Sequence, residues 1–160
     1  MEIILYTKEY EEDVKRLLVQ LQEYIVSIDR EKYNVITEDF KEKYFQKTMD
    51  EVRKYDGTIF LAKEGGKVVG LIVGVINNEA IDSYDFKAPK RGRITELVVS
   101  KESRCQGVGS LLLKRMEEHF KSVGCKGVLL GVFAYNQNAY QFYENNGYFN
   151  RSIDMLKVIQ

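Results

Sequence analysis

The sequence predicts an α/β fold, and three observations carry that reading. Helical apolar periods and short strand-like apolar runs are mixed along the chain, with no internal repeat, low-complexity tract or Pro/Ser linker. A hairpin signal sits mid-chain, where two strand-like runs meet across Glu64-Gly65-Gly66. A further strand-like run, Arg93–Ser100, leads through a glycine-bearing loop directly into a helix-like stretch. At 160 residues, 44% of them hydrophobic, the chain suits one domain spanning 1–160 and large enough to bury a core.

The elements follow in order. Met1–Thr7 reads as a strand. Thr7 then stands where a helix N-cap belongs, and Glu9, Glu11 and Glu12 complement the positive end of a helix running to about Ile28. Val14, Leu17, Leu18, Leu21, Ile25 and Ile28 share one face of that helix. A second helix is expected from Glu38 to about Lys54, capped by Thr37, with Phe40, Tyr44, Phe45 and Met49 turned inward. Thr58–Lys63 and Lys67–Ile76 form the hairpin, and Asn77–Gly92 is a long polar loop or lid. The helix Gly107–Ser122 closes at Gly124, Gly127–Phe133 is a buried strand, Gln137–Asn145 a short helix, and Tyr148–Val158 a last strand.

Charge and cysteine content exclude several classes. Lysine plus arginine equal aspartate plus glutamate at 24 each, so no global field draws the chain to nucleic acid or to an anionic membrane. No stretch approaches the ~20 apolar residues of a bilayer span, and Met1–Tyr10 does not read as a signal peptide, so a cytoplasmic protein is expected. Cys105 and Cys125 suggest neither a disulfide framework nor metal-ligand spacing. Cys125 reads as a small buried hydrophobe. Cys105, at a helix N-terminus, is either an indifferent loop position or a thiol whose alkylation would hinder ligand binding there.

The loop Arg104-Cys105-Gln106-Gly107-Val108-Gly109-Ser110 carries the most chemistry. Glycines at the mouth of a helix let backbone approach a ligand closely, and the helix start offers unpaired N–H groups with a positive dipole end. That is an anion site suited to a phosphate or pyrophosphate, although turn geometry alone can also place glycine there. Two rival phosphate loops fit poorly. Leu112 stands where a dinucleotide fingerprint needs its third glycine, and Gly109-Ser110 lacks the lysine of a Walker loop.

A second segment follows: Asn136-Gln137-Asn138-Ala139-Tyr140-Gln141-Phe142-Tyr143-Glu144-Asn145-Asn146-Gly147-Tyr148. Together the two resemble the GNAT superfamily of N-acetyltransferases. Arg104, Gly107 and Gly109 meet the family's Arg/Gln-x-x-Gly-x-Gly/Ala loop. Asn136, Ala139, Phe142, Tyr143, Glu144, Gly147 and Tyr148 meet its Asn-x-x-Ala, Phe-Tyr-Glu and Gly-aromatic positions. The likeness is specific from about Ile94 to Tyr148 and topological before that. It implies an acyl-CoA N-acyltransferase fold, a central mixed β-sheet flanked by helices that splays open beside the loop. An acetyl-CoA-dependent enzyme transferring to a primary amine in a ternary complex is implied with it.

The resemblance also implies roles. The N–H groups of Gln106, Gly107, Val108, Gly109 and Ser110 would hold the cofactor's pyrophosphate, with Arg104 adding charge or ordering the loop. The backbone of Val98 and Val99 would pair with the pantetheine arm, and one N–H could polarise the thioester carbonyl. Tyr143 would donate the proton to the leaving thiolate, or be a buried aromatic. Asn136 would contact cofactor, cap a helix, or both. Strand alternation puts Ile94, Glu96 and Val98 on one face and Thr95, Leu97 and Val99 on the other. Glu96 is then either a general base, an attractor of the amine cation, or a solvated carboxylate. His119 reads as a surface or packing residue.

The acceptor is an amine-bearing small molecule or a protein amine. The loop residues Glu79, Asp82, Tyr84, Asp85, Lys87, Lys90, Arg91 and Arg93 do not choose between them. A homodimer is common in the family, but no apolar stripe in the sequence assigns one. A CoA-binding regulatory module without turnover and a helical interaction protein are the competing classes.

Overall fold

The computed structural model describes residues 1–77 and 89–159. Strand β1 (Glu2–Leu5) is followed by helices α1 (Glu11–Ile28) and α2 (Phe40–Lys54), then strands β2 (Thr58–Glu64), β3 (Lys67–Asn77) and β4 (Arg91–Val99). Helix α3 (Val108–Ser122), strand β5 (Gly127–Leu129) and helix α4 (Gln137–Asn145) complete the order. The five strands lie side by side in sequence order, antiparallel from β1 to β4 and parallel between β4 and β5. The sheet is therefore mixed, as the resemblance implies.

Each sheet face has its own layer. On one side α3 lays Val108, Leu112, Met116 and Phe120 over Phe60, Ile72 and Ile94. On the other, Val14, Leu17 and Leu18 of α1 and Phe45 of α2 cover Leu61, Leu71, Val73 and Val98. Burying each such side chain fully contributes about 1.5–3 kcal/mol. Helix α3 lies close to the sheet because Gly74 and Gly92 face it. A Cβ on Gly92 would stand 2.4 Å from the Phe120 ring, and one on Gly74 2.5 Å from Met116 Sδ.

Four expectations are corrected. Thr7 precedes a 3-10 turn (Lys8–Tyr10) rather than capping α1, and its hydroxyl donates to Glu9 Oε1 at 2.9 Å. Thr37 does the same to Asp39 Oδ1 at 2.7 Å, and α2 starts at Phe40. A hydroxyl committed to a carboxylate two residues on is turned away from the helix N–H groups it would cap. The buried strand expected over Gly127–Phe133 stops at Leu129, and the whole run is at most half-buried. The last strand expected over Tyr148–Val158 does not form: from Phe149 on the segment is exposed and pairs with no strand among the described residues. Residues 78–88 of the expected lid, with Glu79, Asp82, Tyr84, Asp85 and Lys87, lie outside the described residues.

Candidate active site

The sheet opens between β4 and β5. They pair only at Arg91–Arg93 with Gly127–Leu129, and from Ile94 to Val99 the β5-facing edge of β4 has no strand beside it among the described residues. A β-bulge precedes the open stretch: Ile94 opposes Gly74 and Glu96 opposes Val73, so Thr95 is the extra residue. The bulge breaks the simple alternation expected from sequence. Glu96 and Val98 do share the face of α1 and α2, but Ile94 turns to α3.

Backbone direction on the open edge follows from one bond. Ser100 N–H donates to Val69 O at 2.8 Å, so Ser100 and, by alternation, Val98 turn their peptide groups to β3. Val99 and Leu97 then face the open edge. This corrects the expected pair Val98 and Val99: Val98 serves the core, 4% exposed, and Leu97 takes its place at the edge.

The open edge runs into the anion loop. Cys105 and Gly107 adopt left-handed φ of +59° and +80°, which carries the chain sharply from β4 into α3. Leu111 N–H is the first to reach a helical carbonyl, that of Gly107 at 3.1 Å. The N–H groups of Val108, Gly109 and Ser110 precede it, and no side chain caps them among the described residues. Val108 points its side chain into the core, while Gln106 and Ser110 are exposed. At Gly109 a Cβ would press on the Phe142 ring at 3.3 Å, so this glycine seats α4 against α3. Arg104 turns back to β4: its Nε donates to Val99 O at 3.0 Å and its guanidinium lies 5.6 Å from the Tyr24 ring centre.

Chemistry concentrates around Glu96. Tyr44 of α2 donates its hydroxyl to Glu96 Oε1 at 2.7 Å, across 52 residues of sequence. Desolvation pushes the Glu96 carboxyl up to about 7, against the lowering pull of the Tyr44 hydrogen bond and of Lys47, while Glu51 adds to the rise. Tyr143 of α4 feels the same carboxylate: burial first, then Glu96, push its phenol up to about 12. Burial chiefly, with Glu96, also raises Tyr44. Tyr44 by hydrogen bond, and Tyr143 through the charge alone, thus keep their phenol protons near a carboxyl whose burial raises its pKa toward neutrality. Tyr143 is braced edge-to-face between Phe142 and Tyr148, with ring centres at 5.1 and 5.6 Å.

Asn136 caps α4, its Oδ1 accepting from Ala139 N–H at 3.1 Å and from the Tyr24 hydroxyl at 3.2 Å. His119 packs edge-to-face on Phe60 and shares a hydrogen bond with Thr58 Oγ1 at 2.9 Å, away from this cluster. Cys125 is buried and Cys105 exposed.

The sequence profile of the Acetyltransferase (GNAT) family matches residues 23–148, a span that includes the bulged strand, the anion loop and α4. The chain belongs to the GNAT family of acetyltransferases. N-alpha-acetyltransferase 60 of Xenopus tropicalis is 36% identical over 96 residues, which cover 52% of this chain and 40% of that protein. An uncharacterized N-acetyltransferase of Methanocaldococcus jannaschii is 33% identical over 100 residues, covering 62% of this chain and 57% of that one. This GNAT chain therefore spans about half the length of these two relatives. A mutant of the BH1408 protein from Bacillus halodurans superposes over the full length of both chains with a TM-score of 0.82 at 20% identity, which shows a shared fold. Family membership makes acetyl-CoA the usual acyl donor.

The residues of this GNAT chain fit such a donor in kind. An open strand edge suits amide pairing, and a helix mouth with three free N–H groups suits a pyrophosphate. Two side chains at the site escape sequence reasoning. Tyr44 is expected only as an inward-facing helix residue, and Tyr24 not at all. Both act across more than fifty residues, and no local pattern signals such contacts.

Proposed function

We propose that this chain is an acetyl-CoA-dependent N-acetyltransferase that acetylates a primary amine by direct attack in a ternary complex. The observation that carries the reading is the open β4 edge running into the mouth of α3, with Glu96, whose carboxyl burial raises to about 7, and the buried phenol of Tyr143 as candidate base and acid. A general base works best near the operating pH, and a general acid must still hold its proton there. Val99, Leu97 and the N–H groups of Gly107 to Ser110 would hold the cofactor, with Gln106 and Asn136 at its margins. Bound acetyl-CoA supplies the thioester whose C–S bond is exchanged for the new C–N bond. Glu96 would take the first proton that the acceptor ammonium loses, and Tyr143 would protonate the departing sulfur and regain a proton from the second N–H lost as the amide forms. Cys105 belongs to the anion loop, which supports direct transfer rather than a cysteine-bound acetyl group.

The acceptor is a small molecule or a protein amine. Similarity to N-alpha-acetyltransferase 60 supports screening peptide α-amines first.

Thermal-shift titration with acetyl-CoA, with ATP as control, tests the cofactor. Ligand at ~100-fold over its dissociation constant stabilises the native state by ~2.7 kcal/mol, raising the melting temperature by several degrees. Gly109→Glu should abolish the shift by steric and like-charge conflict. No shift in the wild type up to millimolar acetyl-CoA would withdraw the proposal. A shift without turnover on any amine would leave a CoA-sensing module instead.

A further inference from the structure

Tyr24 of α1 touches both cofactor-facing segments and has no part in the proton transfers. Its hydroxyl donates to Asn136 Oδ1 at 3.2 Å, and its ring centre lies 5.6 Å from the Arg104 guanidinium. These partners belong to different elements. Asn136 caps α4, and Arg104 begins the anion loop ahead of α3.

The contact with Asn136 fixes a direction. Ala139 N–H can only donate, so the amide oxygen is the atom that faces it, at 3.1 Å. A carboxamide oxygen accepts on two lone pairs, and the Tyr24 hydroxyl takes the second. Held from two sides, the amide turns its Nδ2 donors away from both partners, which leaves them to a ligand. The contact with Arg104 fixes a charge. Arg104 Nε donates to Val99 O at 3.0 Å, which bends this exposed side chain back along β4, and the Tyr24 ring lies within reach of the cation there. A free arginine side chain would spread over many rotamers in water.

The end of α1 is also fastened to this region without Tyr24. Tyr135 donates its hydroxyl to Glu31 Oε1 at 2.6 Å, and Arg30 lies over the Tyr135 ring at 4.5 Å. Loss of the Tyr24 contacts therefore leaves the segments together while letting the Asn136 amide and the Arg104 cation turn.

We propose that Tyr24 is a positioning residue for the acyl donor: its hydroxyl aims the Asn136 amide and its ring places the Arg104 charge, so that both meet acetyl-CoA already oriented. Groups ordered before binding cost less to order on binding, which appears as affinity. The inference rests on the acetyl-CoA reading proposed above.

Isothermal titration calorimetry of the full chain with acetyl-CoA tests it, alongside the melting temperature of each variant without ligand. Tyr24→Phe removes one oxygen and keeps the ring, and should raise Kd by about 2–10-fold. Tyr24→Leu removes the ring as well and should raise Kd by about 2–5-fold more. In an Asn136→Ala background, Tyr24→Phe should leave Kd where it is, because the hydroxyl acts through that amide. Should Tyr24→Leu or Asn136→Ala fail to fold, Tyr24→Phe decides alone. A Tyr24→Phe protein that binds acetyl-CoA as tightly as wild type overturns the inference whatever its melting temperature, since a packing role moves stability alone. An equal rise in Kd in the Asn136→Ala background overturns it too. A wild type that binds no acetyl-CoA up to millimolar concentration removes the donor reading itself, a failure distinct from the other two.

Discussion

Lys15 and Glu96 are both charged side chains withdrawn from much of the solvent, and their surroundings are opposite. Lys15 of α1, 6% exposed, meets three carboxylates: Glu11 at 2.8 Å, Glu12 at 3.3 Å and Glu42 of α2 at 2.7 Å. These partners raise its ammonium far above the usual lysine value, so it stays charged at any working pH. Glu96 of β4 has one close partner, the neutral hydroxyl of Tyr44, and its carboxyl sits near 7. The first group is a clamp between helices. The second is a carboxyl whose burial shifts its titration toward neutral pH, which suits the base role proposed for it. What separates them is how many opposite charges touch them, three carboxylates on Lys15 against a neutral hydroxyl on Glu96.

The comparison breaks most visibly at its proton donor. Tyr143→Phe should lower kcat by roughly 10²–10⁴-fold while leaving acetyl-CoA affinity nearly unchanged, measured by steady-state kinetics and the thermal shift. Full activity across the pH range would remove Tyr143 from the chemistry. Glu96→Gln should cost on the order of 10²-fold in kcat/KM above pH 7 and flatten the acidic limb there.

The same substitution should act on stability with opposite sign. The folded carboxyl titrates higher than the ordinary 4.5, so folding favours its protonated form, and ionisation costs stability as pH climbs through about 7. Glu96→Gln is therefore expected to be more stable than wild type by ~1–3 kcal/mol at pH 8.5, and nearly equal at pH 4. Urea titrations at both values read this directly. An equal difference at both would mean that Glu96 ionises freely in the fold.

Tyr44→Phe sharpens the contrast. Losing the donor should move the acidic limb of kcat/KM to higher pH, because the hydrogen bond favours the ionised carboxylate. A packing defect alone would lower activity without moving the limb. The smallest catalytic effect is expected at the clamp. Lys15→Met should lower the melting temperature and leave the pH profile of kcat/KM in place. The raised ammonium supplies its stabilisation fully below the ordinary lysine value near 10.5, losing it only above its own, higher one. The decrement in melting temperature should thus be constant from pH 5 to 9 by calorimetry. A decrement that changes in that window would contradict the clamp.

How much was legible follows from distance along the chain. The anion loop reads from sequence because Arg104 to Ser110 are neighbours, and Gly107 marks where the backbone turns left-handed into α3. Helix α4 is legible for the same reason, its Asn136 cap and Phe142-Tyr143 pair lying within one short segment. Alternation along β4 assigns Glu96 and Val98 to a common face, yet misplaces Ile94, because the bulge at Thr95 leaves no mark in a period-two pattern. It also cannot say which peptide groups face outward, so Leu97 goes unnoticed.

By itself the sequence determined the order of most elements, the glycine-lined mouth of α3 and a kinship with GNAT acetyltransferases, all encoded within short windows by period, turn chemistry and motif. Only the tertiary structure decided that β4 and β5 part after Arg93, that Tyr44 reaches Glu96, and that, among the described residues, segment 149–159 and the outer edge of β5 have no strand partner. These depend on desolvation and on pairing between residues far apart in the chain, which no local pattern records.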